Sequence, residues 1–189
     1  MQRREVLRNF ALLAGGGLLS GTTISILNSC NSPGKKTDGQ LFSDTQQNII
    51  TELADVIIPT TSCPGAKAAG IGPFITMMIH DCYPEDVQKD FIKGVDDFSA
   101  SVKKRFSKDF ISLSSQEKIQ AVSQLRDQAL AEQKSPEKKT NFFVLTRDLT
   151  ILGYFTSEIG ATQARQYIAV PGRYDGDVTL KPGQKAWAT

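Results

Sequence analysis

The chain has 189 residues, with 22 Lys and Arg against 20 Asp and Glu, one His and three Cys. A hydrophobic content of 40% is enough for one domain with a real core. The formal charge of +2 gives no nucleic-acid footprint, and one His beside three scattered Cys supplies neither a zinc ligand set nor a Cys-x-x-Cys-His haem site.

The opening stretch, MQRREVLRNFALLAGGGLLSGTTISILNSCNS, reads as an address rather than a fold element. Arg3, Arg4 and Arg8 form a basic start, and Ala11 to Leu27 follows without a charge, the secretory pattern. Those 17 residues are diluted by glycine and marginal for a membrane span of roughly 20 apolar residues. Arg3-Arg4-Glu5-Val6-Leu7-Arg8 resembles the twin-arginine export motif, in which the Arg pair and Leu7 fit while Gln2, Val6 and Arg8 replace the usual residues. That route carries proteins already folded. A general secretory signal with a chance Arg pair is the alternative.

Leu27-Asn28-Ser29-Cys30 resembles a lipobox, with Leu and Ser in place and Asn28 unusual. Lipidated at Cys30, the chain is a membrane-anchored lipoprotein, since each buried methylene contributes about 0.8 kcal/mol. Cleaved nearby without lipid, it is a soluble periplasmic protein. Residues 1–29 are thus expected to be the signal, 30–41 a polar Pro/Gly tether, and 42–189 a single domain. The signal holds three of the basic residues and one acid, so 19 of each remain beyond it and the domain is neutral. Cys63 and Cys82 also remain. A bridge between them closes a loop of about 20 residues, worth about 3 kcal/mol in the chain-entropy model; the alternative is two unpaired thiols buried as small hydrophobes.

The rest reads as helices, a mainly α fold with a compact bundle of about five to six. Ser43 and Gln46 form a capping box, Ile49, Ile50, Leu53, Val56 and Ile57 an apolar face, and Pro59 ends the helix. A loop broken by Pro59, Pro64 and Gly65 follows. Pro73 suits the first turn of a second helix running through Phe74, Met77, Met78 and Cys82. After Pro84, Val87, Phe91, Val95, Phe98, Val102 and Phe106 recur at steps of three or four, a third helix. Ser114 and Glu117 open a fourth, with Ile119, Val122, Leu125 and Leu130 as its apolar residues. Ser135-Pro136 is read as the cap of a fifth, NFFVLTRDLTILGYF, which is apolar nearly all round and hence central. Thr156 to Gln166 suits a short helix. From Tyr167 onward two Pro-Gly pairs and an Asp-Gly predict a turn-rich, extended C-terminal tail, packed on its own domain or on a partner.

Catalytic constellations are scarce. Gly15-Gly16-Gly17 lies in the signal, and no Gly-x-Ser-x-Gly elbow occurs. His80 beside Asp81 is more simply a residue favoured by a helix C-terminus than a catalytic base. Asp148 and Glu158 read either as an acid/base pair or as buried carboxylates paired with Arg147 or Arg165.

Two blocks carry a family resemblance. Leu53-Ala54-Asp55-x-Ile57-Ile58-Pro59 with Pro64-Gly65-Ala66-x-x-Ala69-Gly70, and Gly153-Tyr154-Phe155-Thr156-Ser157-Glu158-x-Gly160 with Pro171-Gly172-x-Tyr174-x-Gly176, are similar to the gluconate 2-dehydrogenase subunit 3 family. The resemblance runs over residues 42 to 187, with only helical character shared between Glu85 and Lys139. It implies a small, non-catalytic accessory subunit without a cofactor of its own. Its implied partners are a large flavin subunit that holds FAD and oxidises a sugar or sugar acid, and often a cytochrome c subunit. The small subunit brings the folded flavoprotein across the membrane by its twin-arginine signal; the lipobox departs from the family and would make this chain the anchor too. Partner contact is expected at Pro59, Pro64, Gly65, Phe155, Ser157, Glu158, Pro171, Gly172 and Tyr174. The other reading is a stand-alone helical periplasmic lipoprotein that binds a ligand or scaffolds the envelope.

Overall fold

The computed structural model describes residues 40–132, 141–174 and 176–188. The expectations for Arg3, Arg4, Leu7, Cys30 and most of the tether lie outside these residues, as does the Ser135-Pro136 cap.

Helix α1, Asp44–Ile57, begins at a reciprocal capping box. Ser43 N–H donates to Gln46 Oε1 at 3.0 Å, and Gln46 N–H donates to Ser43 Oγ at 3.3 Å. Gln46 also donates from Nε2 to Asp96 at 2.8 Å, so one side chain both starts α1 and ties it to α3, Glu85–Phe106. The stripe of α3 buries Phe91, Val95, Phe98 and Val102, with Val87 and Phe106 at its edges. Its rings join others edge to face: Phe91 lies 5.1 Å from Phe142 and 5.9 Å from Phe42, and Phe98 lies 4.9 Å from Phe110. Such pairs contribute about 0.5–1.5 kcal/mol beyond their burial. Phe110 stands in a short 3₁₀ turn, Phe110–Ser112, that follows α3.

Helix α2, Ile71–Cys82, and helix α4, Ser115–Glu132, form where expected but turn different faces inward. In α2 the buried residues are Ile71, Gly72, Ile75 and Ile79, while Met77 and Cys82 face solvent. In α4 they are Ala121, Val122 and Ala129, while Ile119 and Leu130 are exposed. Small side chains let α4 approach the bundle closely, and closeness rather than side-chain size fixes its contact face. The Ser114–Glu117 capping box is present, with Ser114 N–H donating to Glu117 Oε2 at 2.8 Å.

Helix α5, Phe142–Thr156, is capped by Asn141, whose Oδ1 accepts from Phe143 and Val144 N–H groups; the cap expected at Ser135-Pro136 is not the one that starts this helix. It packs against α1, α2, α3 and α4, the central position expected of it. Its buried Thr146 and Thr150 donate to the carbonyls four residues earlier, so neither hydroxyl is left unpaired. It is not buried all round: Ile151, Leu152 and Phe155 are 43%, 49% and 37% exposed. A five-residue π-turn, Gly160–Ala164, occupies the place of the expected short helix.

The tail is extended and turn-rich as read, with an addition that its sequence did not announce. Strands β1, Gln166–Tyr167, and β2, Trp187–Ala188, pair in parallel, with Gln166 opposite Trp187. The tail between them is a surface loop held at its base. Among the described residues no helix is long and apolar enough to cross a membrane.

Candidate partner interface

The loop after α1 folds back on its own helix end. Ala66 N–H donates to the Ile58 carbonyl at 2.8 Å, and Gly65 N–H donates to Thr60 Oγ1 at 2.9 Å. Gly65 is buried in that fold. A Cβ there would lie 2.5 Å from Thr60 N and 2.7 Å from Ile58 O, so no other residue fits without moving the backbone. The turn presents the Pro64 carbonyl inward, where it accepts the Tyr154 hydroxyl at 2.7 Å. Tyr154 is 3% exposed, and its burial, with Cys63 adding to the effect, pushes the hydroxyl pKa above its ordinary value. It remains a neutral donor.

Two ion pairs meet at Glu52, one to the loop and one to α4. Glu52 of α1 accepts from Lys118 of α4 at 2.7 Å and from Lys67 of the loop. Burial by itself would push the Glu52 carboxyl up, but the hydrogen bonds and charges of Lys118 and Lys67 outweigh it and hold the group below its ordinary value. The same contact raises Lys67.

Ser157 ends α5 by a double role. Its hydroxyl donates to the Tyr154 carbonyl at 2.7 Å and accepts from Gly160 N–H at 3.1 Å, which starts the π-turn. That turn delivers Arg165 to Phe155: Nη2 donates to the Phe155 carbonyl at 2.5 Å, and the guanidinium stands 5.6 Å from the ring centroid. Arg165 Nε is buried without a partner. Lys185 donates to the Gln163 carbonyl and pins the tail beside the π-turn.

The expected interface residues therefore divide. Pro64, Gly65 and Ser157 shape the junction from within. Pro59, Phe155, Glu158, Pro171, Gly172 and Tyr174 are exposed, Tyr174 at 94%. Gly172, at φ 72, centres a three-residue turn closed by Arg173 N–H onto the Pro171 carbonyl at 2.8 Å, a conformation that favours glycine. The structure also places the remaining candidates, and of these the burial of Asp148 and Glu158 is corrected. Cys63 and Cys82 are not bridged: Cys63 Sγ donates to the Gln163 carbonyl, and Cys82 Sγ lies 3.9 Å from Met78 Sδ. Asp148 and Glu158 are exposed rather than buried; Asp148 pairs with Arg147 at 2.8 Å, whereas Arg165 serves Phe155. His80 sits in the last turn of α2, exposed, with Nδ1 2.5 Å from Asp81. Among the described residues no three His, Cys, Asp or Glu side chains converge on a metal position. Three contacts escaped the sequence reading: Tyr154–Pro64, Glu52 with its two lysines, and Arg165 over Phe155. Only the short spacing of Phe155 and Arg165 around the α5 end hinted at any of them.

The two blocks that meet at Tyr154 and Pro64 lie far apart in sequence, and the family model for gluconate 2-dehydrogenase subunit 3 matches residues 44–172, from the first residue of α1 to the Gly172 turn. The chain belongs to that family. No curated protein and no solved structure matches it. The subunit 3 family is an accessory component of a flavin-dependent dehydrogenase complex. The subunit 3 match spans α1 to α5 and so includes the elements that build the junction: α1, the Pro64 loop, α5, the π-turn and the start of the tail.

Proposed function

We propose that this subunit 3 chain is the non-catalytic accessory subunit of a periplasmic, FAD-dependent sugar or sugar-acid dehydrogenase of the gluconate type, that it carries its flavin partner out through the twin-arginine route, and that it anchors the complex by lipid on Cys30. The observation that carries the reading is the Arg3-Arg4 pair ahead of a weakly apolar run, on a chain whose domain belongs to a dehydrogenase subunit family. A flavoprotein loaded with FAD in the cytoplasm has to cross folded. A partner that binds it and bears the export signal solves that problem. In this reading FAD, and haem c where a cytochrome subunit is present, belong to the partners; this chain supplies recognition, export and attachment. The Pro/Gly tether after Cys30 gives the domain reach from the membrane surface.

The test co-expresses the chain with its flavin subunit and fractionates the cells. Arg3→Lys with Arg4→Lys should hold both proteins in the cytoplasm, and Cys30→Ala should release the exported complex from membranes. Normal periplasmic delivery of the flavin subunit by the double variant would overturn the export role; an unlipidated N-terminus beyond residue 30, read by mass spectrometry, would overturn the anchor.

A further inference from the structure

The domain beyond the signal is neutral in sum, yet its charges are not spread evenly. On α3 the acids Glu85, Asp86, Asp90, Asp96 and Asp97 crowd the first half, Lys103, Lys104 and Arg105 fill the last turn, and Lys108 lies just beyond. No acid stands between Phe98 and Lys108. A helix C-terminus favours nearby cations, but that effect is confined to the last turn and does not call for Lys108.

The fold gathers these cations at one corner. Ser107 caps α3 in the left-handed conformation, at φ 56, and its N–H donates to the Lys103 carbonyl at 2.9 Å. The chain reverses there: Asp109 returns to 3.4 Å from Lys103, and Lys108 lies 3.5 Å from Glu117. Both pairs are long and open to solvent, so they hold their lysines weakly. Lys104 and Arg105 pair with no carboxylate among the described residues, and Arg105 lies over the Phe106 ring, 5.4 Å from its centroid. Exposed Ile111 adds an apolar side chain to the segment that follows.

We infer that this corner, Lys103, Lys104, Arg105 and Lys108, docks on the anionic phospholipid surface of the membrane that holds the chain's anchor. The inference rests on the Cys30 anchor reading. A cluster of four Lys and Arg on an amphipathic helix has the charge that an anionic lipid surface attracts. The geometry permits the contact. From Cys30 to Gln40 the chain spans at most about 35 Å when fully extended. Phe42 packs on Phe91, and α3 rises about 21 Å from Phe91 to Arg105. The tether is therefore long enough to let the corner lie on the bilayer and short enough to keep that surface always near it. A second copy of the chain is a poorer occupant. Its acidic half of α3 already engages Glu85 with Lys89, Asp97 with Lys93 and Asp96 with Gln46. Basic end against acidic end is also a head-to-tail contact, which does not close a two-fold dimer.

The test mixes the exported Cys30→Ala chain, which has no lipid to hold it, with vesicles of phosphatidylcholine alone or with phosphatidylglycerol added, and reads co-sedimentation. The chain should bind the phosphatidylglycerol vesicles at least about tenfold more tightly than the neutral ones, and raised salt should erase the difference. Lys104→Gln with Arg105→Gln should weaken that binding at least about tenfold at an unchanged melting temperature. Lys89→Gln with Lys93→Gln, in the acidic half of the same helix, should leave it as it was. Equal binding to both vesicles, or full binding by the Lys104 and Arg105 variant, would overturn the inference. So would a salt-sensitive complex with the purified flavin subunit, or a self-associated chain, that the same variant abolishes while vesicle binding persists. Because the vesicles meet a chain without lipid on residue 30, failure here leaves the anchor standing, and an unlipidated Cys30 in the parent would remove the anchor without altering the vesicle result.

Discussion

The Tyr154 hydroxyl donates a 2.7 Å hydrogen bond to the Pro64 carbonyl, joining residues 90 positions apart. The bond fastens the loop after α1 to the end of α5 and sets the surface on which Phe155 and Arg165 meet. Tyr154→Phe keeps the ring and leaves a part-buried carbonyl without its donor. The expected loss is about 1–3 kcal/mol. Tyr154→Ala adds a cavity and should cost about 3–5 kcal/mol. Urea denaturation of both variants checks the order; equal midpoints for parent and Tyr154→Phe would remove the hydrogen bond from the account.

Gly65→Ala tests the same junction from the loop side. Its Cβ would stand 2.5 Å from the Thr60 backbone nitrogen, so the turn has to shift. Overpacking of this kind costs about 1–3 kcal/mol. A melting temperature equal to the parent's would show that the loop yields freely.

Glu52 predicts a pH dependence. Its folded pKa is held below the ordinary 4.5, so the folded state binds this proton more weakly than the unfolded chain does. Its stabilisation is complete above the unfolded value and is lost as pH falls through the folded one. Glu52→Gln should therefore destabilise the protein at pH 7 and converge on the parent in acid. Stability curves that stay parallel down to pH 3 would contradict the Glu52–Lys118 and Glu52–Lys67 contacts.

The thiols of Cys63 and Cys82 should both alkylate in the native protein without reductant, Cys82 first because it is exposed and Cys63 is half-buried. Peptide mapping that recovers a Cys63–Cys82 cross-link would reverse the assignment.

Tyr174 is 94% exposed on the tail loop. Tyr174→Ala should leave stability within about 0.5 kcal/mol, as surface substitutions do. In the proposed complex it should weaken binding to the flavin subunit. Unaltered binding would leave the tail outside the interface.

Much of the fold is written locally. Ser43 with Gln46 and Ser114 with Glu117 cap their helices through contacts three residues long, and Phe91, Val95, Phe98 and Val102 bury the face their spacing defines. A capping box or a long heavy stripe depends only on neighbours in sequence, so the chain alone determines it. The turn at Pro171 and Gly172 is legible for the same reason. The tertiary structure decided the rest. Ala121 and Ala129 rather than Ile119 and Leu130 face the core, because close approach of α4 to the bundle favours small side chains where the helices touch. Ile151, Leu152 and Phe155 look like core and are surface, because α5 has neighbours on one side only along its last turns. Tyr154 meeting Pro64, Glu52 meeting Lys118 and β1 pairing with β2 join residues that no periodicity connects. Such contacts exist only after the chain has packed, since their partners are chosen by geometry in space and not by distance along the sequence.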